Sequence, residues 1–153
     1  MTTDDELDAI MAVMQSAFDP HWREAWTRAQ VRDSLAMPTT HALLIQAGSP
    51  APGVEGDTVG FTLSRQGADE EELLLIAVDP DFRGRGMGTR LIANLAKASK
   101  ARGVRRLFLE MRANNPAQNL YRRSGFKPIG VRPSYYRALD GQSIDAITFA
   151  REL

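Results

Sequence analysis

Three sets of residues in this 153-residue chain carry the chemistry it offers. The first is Arg83-Gly84-Arg85-Gly86-Met87-Gly88. It follows the apolar run Leu73-Leu74-Leu75-Ile76-Ala77-Val78 and a break at Asp79-Pro80, and it leads into a segment of helical period. A strand, a glycine-rich turn and a helix present backbone N–H groups and a helix N-terminus to an anion. Glycines permit close approach, and Arg83 and Arg85 add positive charge, so the stretch reads as a phosphate or pyrophosphate site. A dinucleotide-binding GxGxxG is excluded, because after Gly84 and Gly86 the third glycine falls at Gly88, one residue early. No GxxxxGK[ST] motif is present either. The bland alternative is an ordinary glycine turn with two solvated arginines.

The second set is Glu110, flanked by apolar residues in Leu107-Phe108-Leu109-Glu110-Met111. A carboxylate there lies either at a solvated strand end or in a cleft, where partial desolvation makes it a better base. The third is Tyr121 with Asn115. A phenol can give a proton to a leaving thiolate, although an aromatic beside Leu120 equally suits a core. Asn115 precedes Pro116 and reads as a helix cap, and its side chain can also bond an amide of a bound ligand. The acidic run Asp69-Glu70-Glu71-Glu72 reads as a solvated hairpin, with Glu72 or Glu71 as the rival base.

The elements around these groups follow from periodicity. Leu7, Ile10, Met11, Met14 and Phe18 form one stripe, which predicts a helix over 4–18. Thr27 and Gln30 fit a capping box, which predicts a helix over 28–36. Strands are predicted at 41–47 and 58–64, paired as a meander across a Pro/Gly-rich loop at 48–57. A turn covers 65–70, and the central strand is the run from Leu73. The following helix carries Met87, Leu91 and Leu95 on one row and stops near Gly103. A strand at 106–111, a helix at 115–124 and strands at 126–130 and 144–151 complete the chain. Pro128 leaves the register of the first of these last two strands open. The order α, α, β, β, β, α, β, α, β, β predicts a single α/β domain over 1–153 with a mixed, partly parallel sheet flanked by helices.

Composition excludes several functions. The formal net charge is +0, which gives no lead toward a nucleic-acid or membrane surface. With Cys 0, disulfides, thiolate metal sites and a cysteine nucleophile are excluded, and no metal site is expected. The acidic start, Met1-Thr2-Thr3-Asp4-Asp5-Glu6, is unlike a signal peptide, and a cytoplasmic location is expected. Charge balance gives no lead on oligomeric state.

The stretch LFLEMRANNPAQNLYRRSGF closely resembles the GNAT segment LxLEVRxxNxxAxxLYxxxGF, and IAVDPDFRGRGMG resembles that family's acetyl-CoA pyrophosphate loop. Within the GNAT family of N-acetyltransferases, the chain most resembles the ribosomal-protein-alanine (RimI) branch. Trp26-Thr27 after Phe18-Asp19-Pro20, and Tyr135-Tyr136 before Asp140-Gly141 and Asp145-Ala146, extend the likeness over nearly the whole chain. The resemblance implies a GNAT fold with a splayed sheet and acetyl transfer from acetyl-CoA to the N-terminal α-amine of a protein. The acceptor implied is the N-terminal alanine of a small-subunit ribosomal protein. It further implies that Ile76, Ala77 and Val78 meet acetyl-CoA through their backbones and that Arg83, Gly84, Arg85, Gly86, Met87, Gly88 and Thr89 wrap its pyrophosphate. Asn115 contacts CoA, Glu110 is the base, Tyr121 is the acid, and Trp26, Arg132, Tyr135 and Tyr136 line the acceptor groove.

Two departures bear on that groove. The arm reads Arg132-Pro133-Ser134-Tyr135-Tyr136 where the family often has Arg-Asn-Tyr-Tyr, and the 48–57 loop is longer than the branch requires. An α-amine has a pKa of about 7.7–8.0, so a fair fraction is already neutral near neutral pH. Direct attack in a ternary complex is therefore expected, with the oxyanion held by a backbone N–H, that of Val78. The rival readings are a GNAT enzyme acting on a small amine or a lysine, and a CoA-binding module without catalysis.

Overall fold

The computed structural model describes residues 3–22, 24–48, 52 and 56–153. Helix α1 is Thr3–Ala17, with acidic residues in its first turn and Leu7, Ile10, Val13 and Met14 buried. Helix α2 is Arg28–Leu35, and its capping box forms as the spacing predicts: the Gln30 N–H donates to Thr27 Oγ1, and the Thr27 N–H donates to Gln30 Oε1. The rest of the chain forms β1 (Thr40–Gln46), β2 (Thr58–Gly67), β3 (Glu70–Val78), α3 (Met87–Ala101), β4 (Arg106–Arg112), α4 (Gln118–Arg123), β5 (Lys127–Arg137) and β6 (Ser143–Glu152). One six-stranded sheet has the order β1-β2-β3-β4-β6-β5, and the expected β1–β2 meander is present.

Among the described residues only β3 and β4 pair in parallel, at Glu70↔Arg106, Glu71↔Leu107 and Glu72↔Phe108. Beyond those positions β3 stays paired to β2, and β4 to β6. The two halves of the sheet therefore part. The strand bulges at the same place: Leu63 and Ser64, neighbours on β2, face Leu75 and Leu73, so Leu74 has no partner. A bulge bends and twists its strand and reverses which face later side chains take. Accordingly Leu73 packs with Ile92, Leu95 and Ala96 of α3, whereas Leu75 and Ala77 pack with α1 and Val31 of α2. Helices thus cover both faces, α3 and α4 on one and α1 and α2 on the other.

Several boundaries differ from the expectations. The acidic run is a solvated hairpin only at its start, where Asp69 and Glu70 are exposed. β2 continues to Gly67, the reversal falls at Ala68-Asp69, and Glu70 already begins β3. Glu71 is fully buried. It accepts the Ser64 hydroxyl and two contacts from Arg102 Nη2, at 2.6 and 2.8 Å. An acidic residue is accommodated in a central strand here because Arg102, the C-cap of α3, neutralises it. Gly103 follows with φ +89°, as a residue ending a helix requires. Helix α4 begins at Gln118, since Asn115 Oδ1 is spent on the Ala117 N–H in a preceding turn. β5 runs past Gly130 to Arg137 on the sheet edge, where a proline is tolerated, and its register with β6 shifts between Pro128 and Gly130 and again between Arg132 and Tyr136. Of the 48–57 loop, residues 49–51 and 53–55 lie outside the described residues.

Removing Arg102 leaves the buried Glu71 carboxylate unpaired. Arg102→Ala is expected to lower stability by about 3 kcal/mol, the lower end for breaking a buried pair, since Ser64 still donates. Urea denaturation at neutral pH checks this.

Candidate active site

The parting of β3 and β4 opens a cleft of about 730 Å³, lined by 74–78 of β3, 110–112 of β4, the N-terminus of α3, and α4. That volume is in the range of small-molecule and cofactor sites. At one end Gly84 and Gly86 both have φ +76°, which a side-chain-bearing residue adopts only with strain, and nothing lies within 4 Å of where their Cβ atoms would stand. Gly86 is the N-cap of α3 and supplies no side-chain cap. The first N–H groups of this 15-residue helix are therefore left for an external anion. Gly88 serves packing: a Cβ there would stand 2.9 Å from Leu120 Cδ2, so the helix start lies hard against α4. Arg83 lines this end with two donors already engaged. Its Nη2 donates to the Ala17 carbonyl at 2.9 Å and its Nε to the Val78 carbonyl at 3.4 Å. The open glycine cradle and the uncapped helix start fit a pyrophosphate.

The other end carries titratable groups. In β4, Leu107, Leu109 and Met111 are buried and Phe108, Glu110 and Arg112 alternate with them. Glu110 Oε2 meets Arg132 Nε at 3.1 Å. The Tyr136 hydroxyl donates to the Glu110 carbonyl at 3.5 Å. Burial pushes the Tyr136 phenol up to about 12, with the charges of Glu110 and Glu24 adding to the effect. Tyr121 is buried among Phe126 and Phe149, and that burial raises its phenol well above the ordinary value, with Glu24 contributing. Both phenols hold their protons at neutral pH.

Most expected site residues meet in this one cleft. Glu110, Tyr121, Asn115, Ile76, Ala77, Val78, Arg83, Gly84, Gly86, Met87, Gly88 and Thr89 all line it, as do Trp26 and Tyr136. Three lie outside the lining. The Arg85 guanidinium sits 5.0 Å over the Phe82 ring. Tyr135 is 51% exposed, with its ring edge-on to Tyr136. Arg132 reaches the site only through Glu110 and otherwise covers the Tyr135 ring at 4.9 Å. Neither rival base reaches the cleft, because Glu71 is held by Arg102 and Glu72 faces Arg65.

Sequence reasoning missed a cluster on the same face. Arg112 Nε bonds Glu24 Oε1 at 2.9 Å, Arg112 Nη1 bonds Asn114 Oδ1 at 3.0 Å, and the guanidinium lies 4.3 Å over the Trp22 ring. Arg112 was legible as the residue two beyond Glu110 on one strand face. Glu24 was not, since 88 residues separate it from Arg112. Among the described residues no group of three His, Asp or Glu is placed to hold a metal ion.

The sequence profile of the acetyltransferase (GNAT) family matches residues 8–126. The [ribosomal protein bS18]-alanine N-acetyltransferase of Escherichia coli K12 is 40% identical over 96 residues, 62% of this chain and 64% of that protein. A Bacillus subtilis candidate of the same name is 29% identical over 133 residues, 86% of this chain and 82% of its own length. The crystal structure of the Escherichia coli ribosomal-protein-S18-alanine N-acetyltransferase superposes with a TM-score of 0.83 at 29% identity, covering 99% of this chain and 90% of that one.

The two raised phenols make a testable contribution to stability. A folded value above the unfolded one, about 10, gives stability that is complete below that pH. It is lost as pH rises through about 12 for Tyr136 and higher for Tyr121. In Tyr136→Phe the alkaline fall of the urea midpoint is expected to be shallower than in the wild type.

Proposed function

The chain belongs to the acetyltransferase (GNAT) family, and from that membership we propose that it acetylates the N-terminal alanine of a small-subunit ribosomal protein. It is an acyltransferase that uses acetyl-CoA. The N-terminal acceptor is supported by the two relatives and the solved structure named for that activity, all between 29% and 40% identical. We take residues 1–153 as one such domain, supported by the continuous six-stranded sheet, and infer a cytoplasmic site of action from the ribosomal substrate of those relatives.

One observation carries the catalytic part: Glu110 and Tyr121 line the same cleft as the glycine-bounded start of α3. Acetyl-CoA supplies an activated acetyl thioester. The α3 N–H groups and the Gly84–Gly86 backbone hold the pyrophosphate, and the backbone of Ile76, Ala77 and Val78 lies along the β3 side of the cleft, where pairing with β4 has ended. Asn115 keeps its amide N–H groups for the pantetheine arm while its oxygen holds Ala117. The acceptor nitrogen attacks the acetyl carbonyl, so a C–N bond forms and the C–S bond breaks. Glu110 takes the proton the nitrogen loses, and Tyr121 gives its proton to the departing sulfur. A backbone N–H of β3, that of Val78, is the donor to the developing oxyanion. The aromatic walls of Trp26 and Tyr136 favour an extended peptide over a free polyamine.

CoA release, followed with a thiol reagent, tests this; with Cys 0 the protein has no thiol of its own. Release with a peptide beginning with Ala, but not with the same peptide blocked at its α-amine and carrying a lysine, nor with a polyamine, is the expected result. Release with lysine or polyamine alone would discard the acceptor and keep the chemistry. Silence with all three, alongside tight acetyl-CoA binding, would favour a binding module. Glu110→Gln and Tyr121→Phe are each expected to lower turnover by roughly 10²–10⁴. A tenfold or smaller loss at both would remove those roles.

A further inference from the structure

We propose that Glu24 and Glu110 together form a two-carboxylate seat for the acceptor ammonium, which makes Glu24 a specificity-determining residue. The inference rests on the acetyltransferase reading above and deepens it. Both carboxylates line the cleft. Their side chains are equally enclosed, at 19% exposure each. Glu110 and Arg112 share one face of β4 two residues apart, about 7 Å along a strand. Glu24 is joined to Arg112, which brings its carboxylate to the Glu110 face of β4. An ammonium donating at about 2.8 Å to each side spans roughly 5–6 Å. The charges of both carboxylates act on Tyr136, and that of Glu24 acts on Tyr121 as well.

The two arginines do not use up this capacity. Arg112 Nε meets Oε1 of Glu24, and Arg132 Nε meets Oε2 of Glu110. A carboxylate has about four lone-pair sites, so each retains acceptor positions. Arg112 is itself fixed by the Trp22 ring and Asn114, which makes Glu24 a preorganised anion. At neutral pH most of an α-amine population is cationic. The acceptor therefore arrives as a cation, is seated between the two carboxylates, and loses one proton to solvent before attack, which leaves Glu110 free to take the second as the C–N bond forms.

Steady-state kinetics with acetyl-CoA and an Ala-initiated peptide test the seat. Glu24→Gln keeps an oxygen for Arg112 Nε and removes the charge. The expected result is a rise of about ten- to a hundred-fold in acceptor KM, falling on KM rather than kcat, with acetyl-CoA KM unmoved. Glu24→Asp should recover part of the loss. Glu24→Gln combined with Arg112→Gln separates the seat from mere neutralisation of Arg112: the seat predicts that the loss persists in the double variant. An acceptor KM within twofold of wild type in Glu24→Gln, a loss confined to kcat, or recovery in the double variant would overturn the inference. If the wild-type protein fails to acetylate any peptide N-terminus, the proposed function falls and the seat with it. If the wild type is active and Glu24→Gln matches it, only the seat falls.

Discussion

The site depends on where a hydrogen-bond ladder ends. β3 and β4 are joined by three parallel residue pairs and no more. Past Glu72 and Phe108 each strand keeps its outer neighbour and loses its inner one. Backbone groups so released must be met by something other than the sheet, because unmet buried polar groups are costly. A ligand lying along that edge can meet them. The bulge at Leu74 serves the same arrangement, since it bends β3 and sends Leu75 and Ala77 toward α1. The pairing that remains is pinned at the closed end by Glu71 and Arg102, a buried ion pair joining the start of β3 to the end of α3.

Charge is distributed along the opening. The α3 end offers uncapped N–H groups, the helix dipole and the Arg83 guanidinium, all suited to an anion. Glu24 and Glu110, which also line the cleft, are suited to a cation, and the two phenols are held protonated.

The segment between α1 and α2 roofs the acceptor end through contacts made far from itself in sequence. Arg83 holds the C-terminus of α1 through the Ala17 carbonyl. Arg112 holds Glu24 and Trp22. The Leu139 N–H donates to the His21 carbonyl at 3.0 Å, and His21 lies 3.9 Å from Asp140, which joins the roof to the β5–β6 turn. One arginine therefore contributes to the donor end and to the anchoring of the roof at once.

Periodicity and turn chemistry alone determined the element order, the capping box at Thr27 and Gln30, the β1–β2 meander and the glycine loop at the start of α3. Each is a local matter, decided by side chains within a few residues or by backbone angles only glycine adopts freely. The motif around Glu110 and Tyr121 was legible only through its resemblance to the GNAT segment, since the residues alone left a solvated carboxylate and a core aromatic open. Tertiary structure decided the rest. That Glu71 is buried and not solvated depends on Arg102, 31 residues away. That Arg85 lies on Phe82 and Tyr135 against Tyr136, outside the cleft, depends on ring positions no spacing rule records. Glu24 became part of the site only because β4 carries Arg112 to it across 88 residues. A sequence pattern reports what neighbours along the chain require of one another, whereas the partner of a charge is whichever opposite charge the fold brings within about 3 Å.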